Sequence, residues 1–368
     1  MQEIINIEND YEKLDRFFRD KKKILLVCGK SAQKLSIYRY FESLKEKTGT
    51  EIVQFSDYKP NPTYDSCVEG TRLFKKENCD GIVAIAGGSG MDVAKCIKMF
   101  ATMDEDKEYI DQEIKDNGIP FMAVPTTAGT GSEATRYAII YYKGEKRSLS
   151  DYSCIPEVAV FDHSVLKNLP DYQRKATMLD CLCHAIESYW AVKANDESKI
   201  YADKAIRMVF ANMDSYLKNE DEGNRGMLQA AYIAGKAINI TQTTAGHAMC
   251  YKLTSLYGLA HGHAVALCME KLFDYVIDHT SSSIDPRGEE YLKETLSKIA
   301  DAMGCKDIRE ASTKFSDLLR KLEMSRPAAK EEDFAILRSS VNVDRLKNNP
   351  VLLSEDDIEN LYRILQNH

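Results

Sequence analysis

The chain has 368 residues, 44% hydrophobic, 29% charged and 9% aromatic, enough for two domains or one large domain with a sizeable core. Its 49 Lys plus Arg against 57 Asp plus Glu leave a net charge of -8, which argues against a broad nucleic-acid surface, though not against a local basic pocket. No stretch approaches the roughly 18–20 uncharged apolar residues of a membrane span, and the acidic opening MQEIINIENDYEKLDRFF does not read as a secretory signal.

In chain order, KILLVCG (23–29) reads as a buried strand and SAQKLSIYRYFESLKEKTG as a helix ending near Gly49. EIVQFS (51–56) is the next strand and PTYDSCVEGTRLFKKENC the next helix. GIVAIAGG (81–88) is a third strand, followed by a helix from about Met91 to Met103, and PFMAVPTT (120–127) is a fourth. Strands separated by helices of this length predict parallel pairing with right-handed crossovers. The 137–162 segment alternates around a KGEK turn and predicts a hairpin plus one returning strand. From Leu166 onward the periodicity is helical almost throughout. The expected architecture is therefore α/β plus all-α: a Rossmann-like parallel-sheet domain over 1–163 and a helical domain over 164–368. Ten cysteines with no CxxC pair suit reduced, mostly buried thiols in a cytoplasmic protein.

Two kinds of residue can carry chemistry. Asp180 and His184 stand four apart in a strongly helical run, so both project from one face, and His247, His261 and His263 follow. An Asp with three His makes an oxygen and nitrogen set suited to Zn²⁺ or Fe²⁺. The pair alone reads equally as a polar contact on a solvated face. Its neighbours Met178, Leu179, Leu182, Ala185 and Ile186 are apolar, however, and unpaired burial of Asp and His is costly. The second kind is glycine-rich turns after strands. Gly87-Gly88-Ser89-Gly90-Met91-Asp92 lets backbone N–H groups approach an anion at a helix start, with Asp92 also readable as an ordinary cap. In Pro125–Glu133, the hydroxyls of Thr126, Thr127, Thr130 and Ser132 suit a phosphate or ribose cradle. Gly129, Gly131 and Ala134 fit G-x-G-x-x-A with Asp151 downstream, but the hairpin-like sequence that follows does not read as a dinucleotide fingerprint.

Taken in order, the GGSxxD turn, PTTAGTGSEAT, DxxxHAIE, the His247 run ending in HGHA, and Asn348-Asn349-Pro350 resemble the iron-containing (group III) alcohol dehydrogenases. That family shares a superfold with glycerol dehydrogenase and dehydroquinate synthase. The resemblance implies NAD or NADP bound between a Rossmann-like and a helical domain, and Fe²⁺ or Zn²⁺ held by Asp180, His184, His247 and His261. It implies a metal acting as a Lewis acid while hydride moves to or from the nicotinamide. It also puts Gly88 and Ser89 on the pyrophosphate, Asn61 near the cofactor, Thr126, Thr130 and Thr135 along the cofactor cleft, and Lys146 on the ribose. Dimers are common in the family, so a homodimer is the assembly it suggests.

Two departures sharpen the expectation. The strand end that is often V-T-D in NAD-preferring members reads Val27-Cys28-Gly29, followed by Lys30 and Ser31. Losing the Asp removes repulsion against a 2′-phosphate, and Lys30 and Ser31 either bind one or form a simple strand-to-helix turn with a solvated Lys; the first reading favours NADPH over NADH and reduction as the working direction. Where many members carry a second His followed by Pro, this chain has Tyr251-Lys252. Tyr251 can donate its phenolic proton or simply fill the pocket. Lys252 reads as a charge beside the metal or as a surface lysine; with Arg136 and Arg147 it would suit an anionic aldehyde. HAMCYKLTSLYG with HGHAVAL particularly resembles the phosphonoacetaldehyde reductases, whose product is 2-hydroxyethylphosphonate. His263 reads as a supporting residue rather than a fifth ligand. The competing readings are an alcohol dehydrogenase for a small neutral alcohol or diol, a dehydroquinate-synthase-like lyase, and a non-catalytic nucleotide-binding protein. None of these readings involves nucleic acid or a membrane as partner.

Overall fold

The computed structural model describes residues 2–8, 10–341 and 343–366. It divides into two compact units: one holds the chain up to Thr127 together with Gly131–Leu169, the other Ala128–Thr130 and the chain from Pro170 onward.

The first unit is built on β1 (Glu3–Ile7), β2 (Lys23–Cys28), β3 (Glu51–Phe55), β4 (Gly81–Ala86), β5 (Phe121–Pro125) and β8 (Val158–Asp162), in the order β1-β8-β5-β4-β2-β3. Every pairing in this sheet is parallel. β4, β5 and β8 are buried along their whole length and β2 from Ile24 on. That is why they read as unbroken apolar runs: a parallel sheet is covered on both faces. Edge strand β1 has only Ile7 buried, and the sequence reading missed it. The antiparallel hairpin of β6 (Tyr137–Tyr142) and β7 (Glu145–Ser150) turns through Lys143 and Gly144, both at positive φ, as a two-residue hairpin turn requires.

The helices differ from the expected spans in two places. The 31–49 helix is broken into a 3-10 turn (Lys30–Lys34) and two helices, Ser36–Glu42 and Leu44–Thr48; Leu35, with an extended backbone, separates the turn from the first helix, and Ser43 separates the two helices. The helix after β4 starts at Gly88, not Met91, and ends at Phe100. Glycines of low helix propensity concealed its first turn.

β2 has β3 on one side and β4 on the other, so the winding reverses between β2 and β4. In open parallel sheets the carboxyl ends beside such a reversal are where ligands sit. Gly29 ends β2 and Gly87 ends β4.

The second unit is helical. Its central helix, Asp171–Trp190, is buried without a break from Met178 to Trp190, so its polar members Asp180, His184 and Glu187 need partners. Around it lie Asp196–Leu217, Asp221–Thr241, Ala245–Tyr257 and His261–Asp278. Asn348 ties the loop before the Ala245–Tyr257 helix: its amide donates to the carbonyls of Thr241 (2.8 Å) and Thr243 (3.1 Å), and its own carbonyl oxygen accepts from the Lys193 N–H (3.0 Å). Among the described residues no disulfide forms, nine of the ten cysteines are buried, and no helix is long and apolar enough to cross a membrane.

Candidate functional site

Three of the four expected metal ligands converge in the helical unit. Asp180 comes from the middle of the Asp171–Trp190 helix, His247 from the first turn of Ala245–Tyr257, and His261 is the first residue of His261–Asp278. Their donor atoms lie within 4.8 Å of one another. His247 Nε2 is 3.5 Å and His261 Nε2 3.8 Å from Asp180 Oδ1. Asp180 and His247 are buried, whereas the His261 side chain is 40% exposed, so the group has one open side. His184, four residues after Asp180, is not among the residues whose donor atoms share that 4.8 Å. Its ring stacks on that of His247, centroids 4.3 Å apart and planes 13° apart, and bonds the Gly129 backbone.

Charge and burial oppose each other here. Burial pushes the Asp180 carboxyl up, but the imidazoles of His184, His261 and His247 outweigh it and hold it well below the usual carboxylate range. Burial lowers His184 to about 4. Burial also works against a protonated His247, but the carboxylates of Glu187 and Asp180 win and raise it. The residues fit a divalent cation on a separate observation. Asp180 Oδ1, His184 Nδ1 and His247 Nε2 are buried with no hydrogen-bond partner. Each such atom costs about 1–3 kcal/mol if left so, and one carboxylate oxygen with imidazole nitrogens is a donor set for Zn²⁺ or Fe²⁺.

The neighbours extend the group. Tyr251 lies parallel to His261, ring centroids 5.9 Å apart and planes 6° apart. The guanidinium carbon of Arg345 sits 5.6 Å from the Tyr251 ring centroid, and Arg345 also donates to Thr243 Oγ1. Lys252 is half-buried and has no carboxylate within 4.0 Å among the described residues. Arg136 and Arg147 belong to the other unit: Arg136 donates to Ser150 Oγ (3.2 Å) and packs on Tyr137 and Tyr152, and Arg147 pairs with Glu145 (3.0 Å). His263 is buried and bonded to the Tyr172 hydroxyl (2.9 Å), outside the metal group. Two residues were not foreseen. Glu187 is wholly buried against His247, and Cys250 Sγ lies 3.6 Å from His261 Nδ1. Glu187 stands seven after Asp180, a helical spacing that would have placed it on the same face. Gly129 also has a reason to be glycine: a Cβ there would meet the Thr177 carbonyl at 2.7 Å.

In the α/β unit, Gly29, Lys30 and Ser31 follow β2, Gly87, Gly88 and Ser89 follow β4, and Thr126 and Thr127 follow β5. Gly87 is the N-cap of the Gly88–Phe100 helix, which presents its free N–H groups at Gly88 and Ser89. Asn61, at φ 58°, donates its N–H to Ser89 Oγ (3.4 Å). Lys30 and Ser31 are exposed after Gly29, and Thr126 and Thr127 are half-buried after β5. Ser132, Thr135 and Asp92 instead make internal bonds. Ser132 Oγ donates to Asp92 Oδ1 (3.3 Å), and Thr135 Oγ1 donates to the Ser132 carbonyl (3.2 Å). Lys95, fully buried and not singled out from sequence, explains this: its ammonium donates to the carbonyls of Ser132, Thr135 and Tyr137 and to Thr135 Oγ1, at 2.7–3.0 Å. Lys146 is half-buried on β7, and Thr130 lies in the Ala128–Thr130 tip that groups with the helical unit.

Two family models match the chain: iron-containing alcohol dehydrogenase over residues 2–163, and the C-terminal part of the Fe-containing alcohol dehydrogenase family over 175–365. Among curated proteins, Alcohol dehydrogenase 4 of Schizosaccharomyces pombe is 33% identical over 273 residues, covering 72% of this chain and 63% of that protein. Choline dehydrogenase of Bacillus subtilis is 36% identical, covering 64% and 60%, so the chain spans less than two thirds of the length of these two relatives. 1,3-Propanediol dehydrogenase of Citrobacter freundii is 32% identical, covering 69% and 68%. Among solved structures, sulfoacetaldehyde reductase from Bifidobacterium kashiwanohense with NAD+ superposes with a TM-score of 0.87 at 24% identity, covering 100% of this chain and 97% of that one. A halo-thermophilic alcohol dehydrogenase from a Red Sea brine pool archaeon gives 0.86 at 27% identity, covering 99% and 97%.

Proposed function

The chain belongs to the iron-containing alcohol dehydrogenase family, and we propose that it is a metal-dependent, NAD(P)H-linked reductase of a small aldehyde, with phosphonoacetaldehyde as the substrate and 2-hydroxyethylphosphonate as the product. The observation that carries this reading is the convergence of Asp180, His247 and His261 within 4.8 Å beside buried donor atoms that lack partners.

Asp180, His247 and His261, with His184 alongside, would hold the divalent ion. When bound, the metal supplies Lewis acidity at the substrate oxygen and the nicotinamide supplies hydride. The chain's own residues do the rest. Tyr251, stacked on His261, would give its phenolic proton to the substrate oxygen as hydride arrives at the carbonyl carbon. Lys252, with no carboxylate partner among the described residues, would take the anionic end of the substrate. Gly87, Gly88 and Ser89 at the helix start would bind the pyrophosphate, with Asn61 held to Ser89, Thr126 bonded to the Ala86 carbonyl and Thr127 packed against Gly87. The exposed Lys30 and Ser31 support NADPH as the preferred carrier.

A second reading, oxidation of a small neutral alcohol or diol, is favoured by the 1,3-propanediol dehydrogenase relative. One experiment separates them: a panel of short aldehydes and alcohols, neutral and phosphonate-bearing, followed by NADPH and NADH absorbance. The proposal expects kcat/KM to be highest for phosphonoacetaldehyde with NADPH. Equal or better turnover of neutral substrates would reject it.

A further inference from the structure

A metal-binding imidazole must offer a bare nitrogen, and which nitrogen is bare depends on what holds the other. In the helical unit the other side of His247 is occupied by a buried carboxylate. Glu187 Oε2 bonds His247 Nδ1, while Glu187 Oε1 accepts from the Thr244 hydroxyl (2.8 Å) and from the His247 backbone N–H (3.2 Å). The carboxylate is 0% exposed, and Gly246 leaves it room: a Cβ at 246 would come within 2.9 Å of Oε1.

We infer that Glu187 is the positioning residue of the metal group, fixing the His247 ring with its proton on Nδ1 so that the Nε2 lone pair faces Asp180. The inference rests on the proposed metal group. Three contacts converge on one carboxylate, so it cannot turn away without losing all of them. The bond to the His247 backbone also fixes the first turn of the Ala245–Tyr257 helix against the Asp171–Trp190 helix. With Nδ1–H committed, the remaining ring nitrogen is the one 3.5 Å from Asp180 Oδ1, which has no hydrogen-bond partner. A carboxylate buried only to stabilise the helix pair would have no need to seat a ring nitrogen opposite an unpartnered Asp oxygen.

The test measures Co²⁺ affinity by competition with a chromogenic chelator, together with the visible Co²⁺ spectrum and the melting midpoint of the metal-free protein. Wild type, Glu187→Gln, Glu187→Leu and Thr244→Val are compared at one pH. Glu187→Gln keeps an acceptor but lets the amide turn either face to the ring, so affinity should fall about 10–100-fold with the metal-free melting midpoint little changed. Glu187→Leu should lose more, and Thr244→Val, which keeps the carboxylate, should lose less than Glu187→Gln. If Glu187→Gln does not fold, Thr244→Val carries the test, and an affinity equal to wild type would overturn the inference. A lowered melting midpoint with unchanged Co²⁺ affinity in Glu187→Gln would make the residue merely structural and also overturn it. A wild type that takes up no Co²⁺ would overturn the metal reading itself, and this inference with it; uptake that is normal in wild type and normal in every variant would overturn only the role of Glu187.

Discussion

Gly262→Ala is the sharpest test of how the helices set the metal group. Gly262 follows His261 at the start of the His261–Asp278 helix, where a Cβ would lie 2.0 Å from the Ala176 carbonyl oxygen and 2.7 Å from Asp180 Cβ. Carbon–oxygen contacts settle at about 3.3–3.6 Å, so the helix start has to withdraw by roughly 1 Å or more. The Ala176 oxygen is backbone in the middle of the central helix and cannot swing aside. Overpacking of this kind costs about 1–3 kcal/mol, and in a unit of this size each kcal/mol lowers the melting midpoint by about 2–4 °C. The same withdrawal carries His261 away from Asp180, whereas metal–ligand distances tolerate only about 0.2 Å. The variant should therefore melt several degrees lower by calorimetry and retain far less than one equivalent of metal by elemental analysis. Full metal retention with an unchanged melting midpoint would show that the helix contact does not set the site.

Three further outcomes are expected. Burial pushes the Glu133 carboxyl up to about 7, so its proton is held more tightly in the folded state; the stability this contributes is complete below about pH 4.5 and is lost as pH rises through 7. Glu133→Gln should remove that loss, on the order of 3 kcal/mol, and urea midpoints of wild type and variant that run parallel between pH 4.5 and 8 would refute it. Lys30→Ala should lower kcat/KM for NADPH about tenfold, on the order of 1.4 kcal/mol for a charged contact, while leaving NADH unchanged; equal loss with both carriers in steady-state assays would remove Lys30 from 2′-phosphate recognition. Lys252→Ala should raise KM for phosphonoacetaldehyde about tenfold or more, as loss of a hydrogen bond to a charged group does, without changing cofactor KM or the turnover of a neutral aldehyde. An equal effect on the neutral aldehyde would assign Lys252 to the frame of the pocket.

The parts legible in sequence were those with one dominant physical signal. β2, β4 and β5 announced themselves because both faces are covered and no polar residue interrupts them. Asp180 stands out with His184 as an ionisable pair in an apolar run, where burial without a partner is costly, whereas His247 and His261 join the set through the family resemblance. What stayed hidden depends on neighbours far along the chain. β1 is an edge strand with one buried residue, so EIINI between acidic residues carries almost no period. The orientation of His184 follows from stacking on a residue 63 positions later, and the Arg345 contact with Tyr251 from a one-turn helix 94 positions later. Glu187 shares the Asp180 face by its spacing, but its partner His247 lies 60 positions later. Ser132 and Thr135 looked like open hydroxyls because nothing in the sequence shows the Lys95 ammonium lying beneath them.

The most direct measurement is anomalous diffraction from crystals of the protein loaded with Fe²⁺ or Zn²⁺. The account predicts a single strong peak per chain within bonding distance of Asp180, His247 and His261, with the His184 ring beside it. A protein that binds no ion under these conditions, or an ion placed away from these side chains, would contradict it.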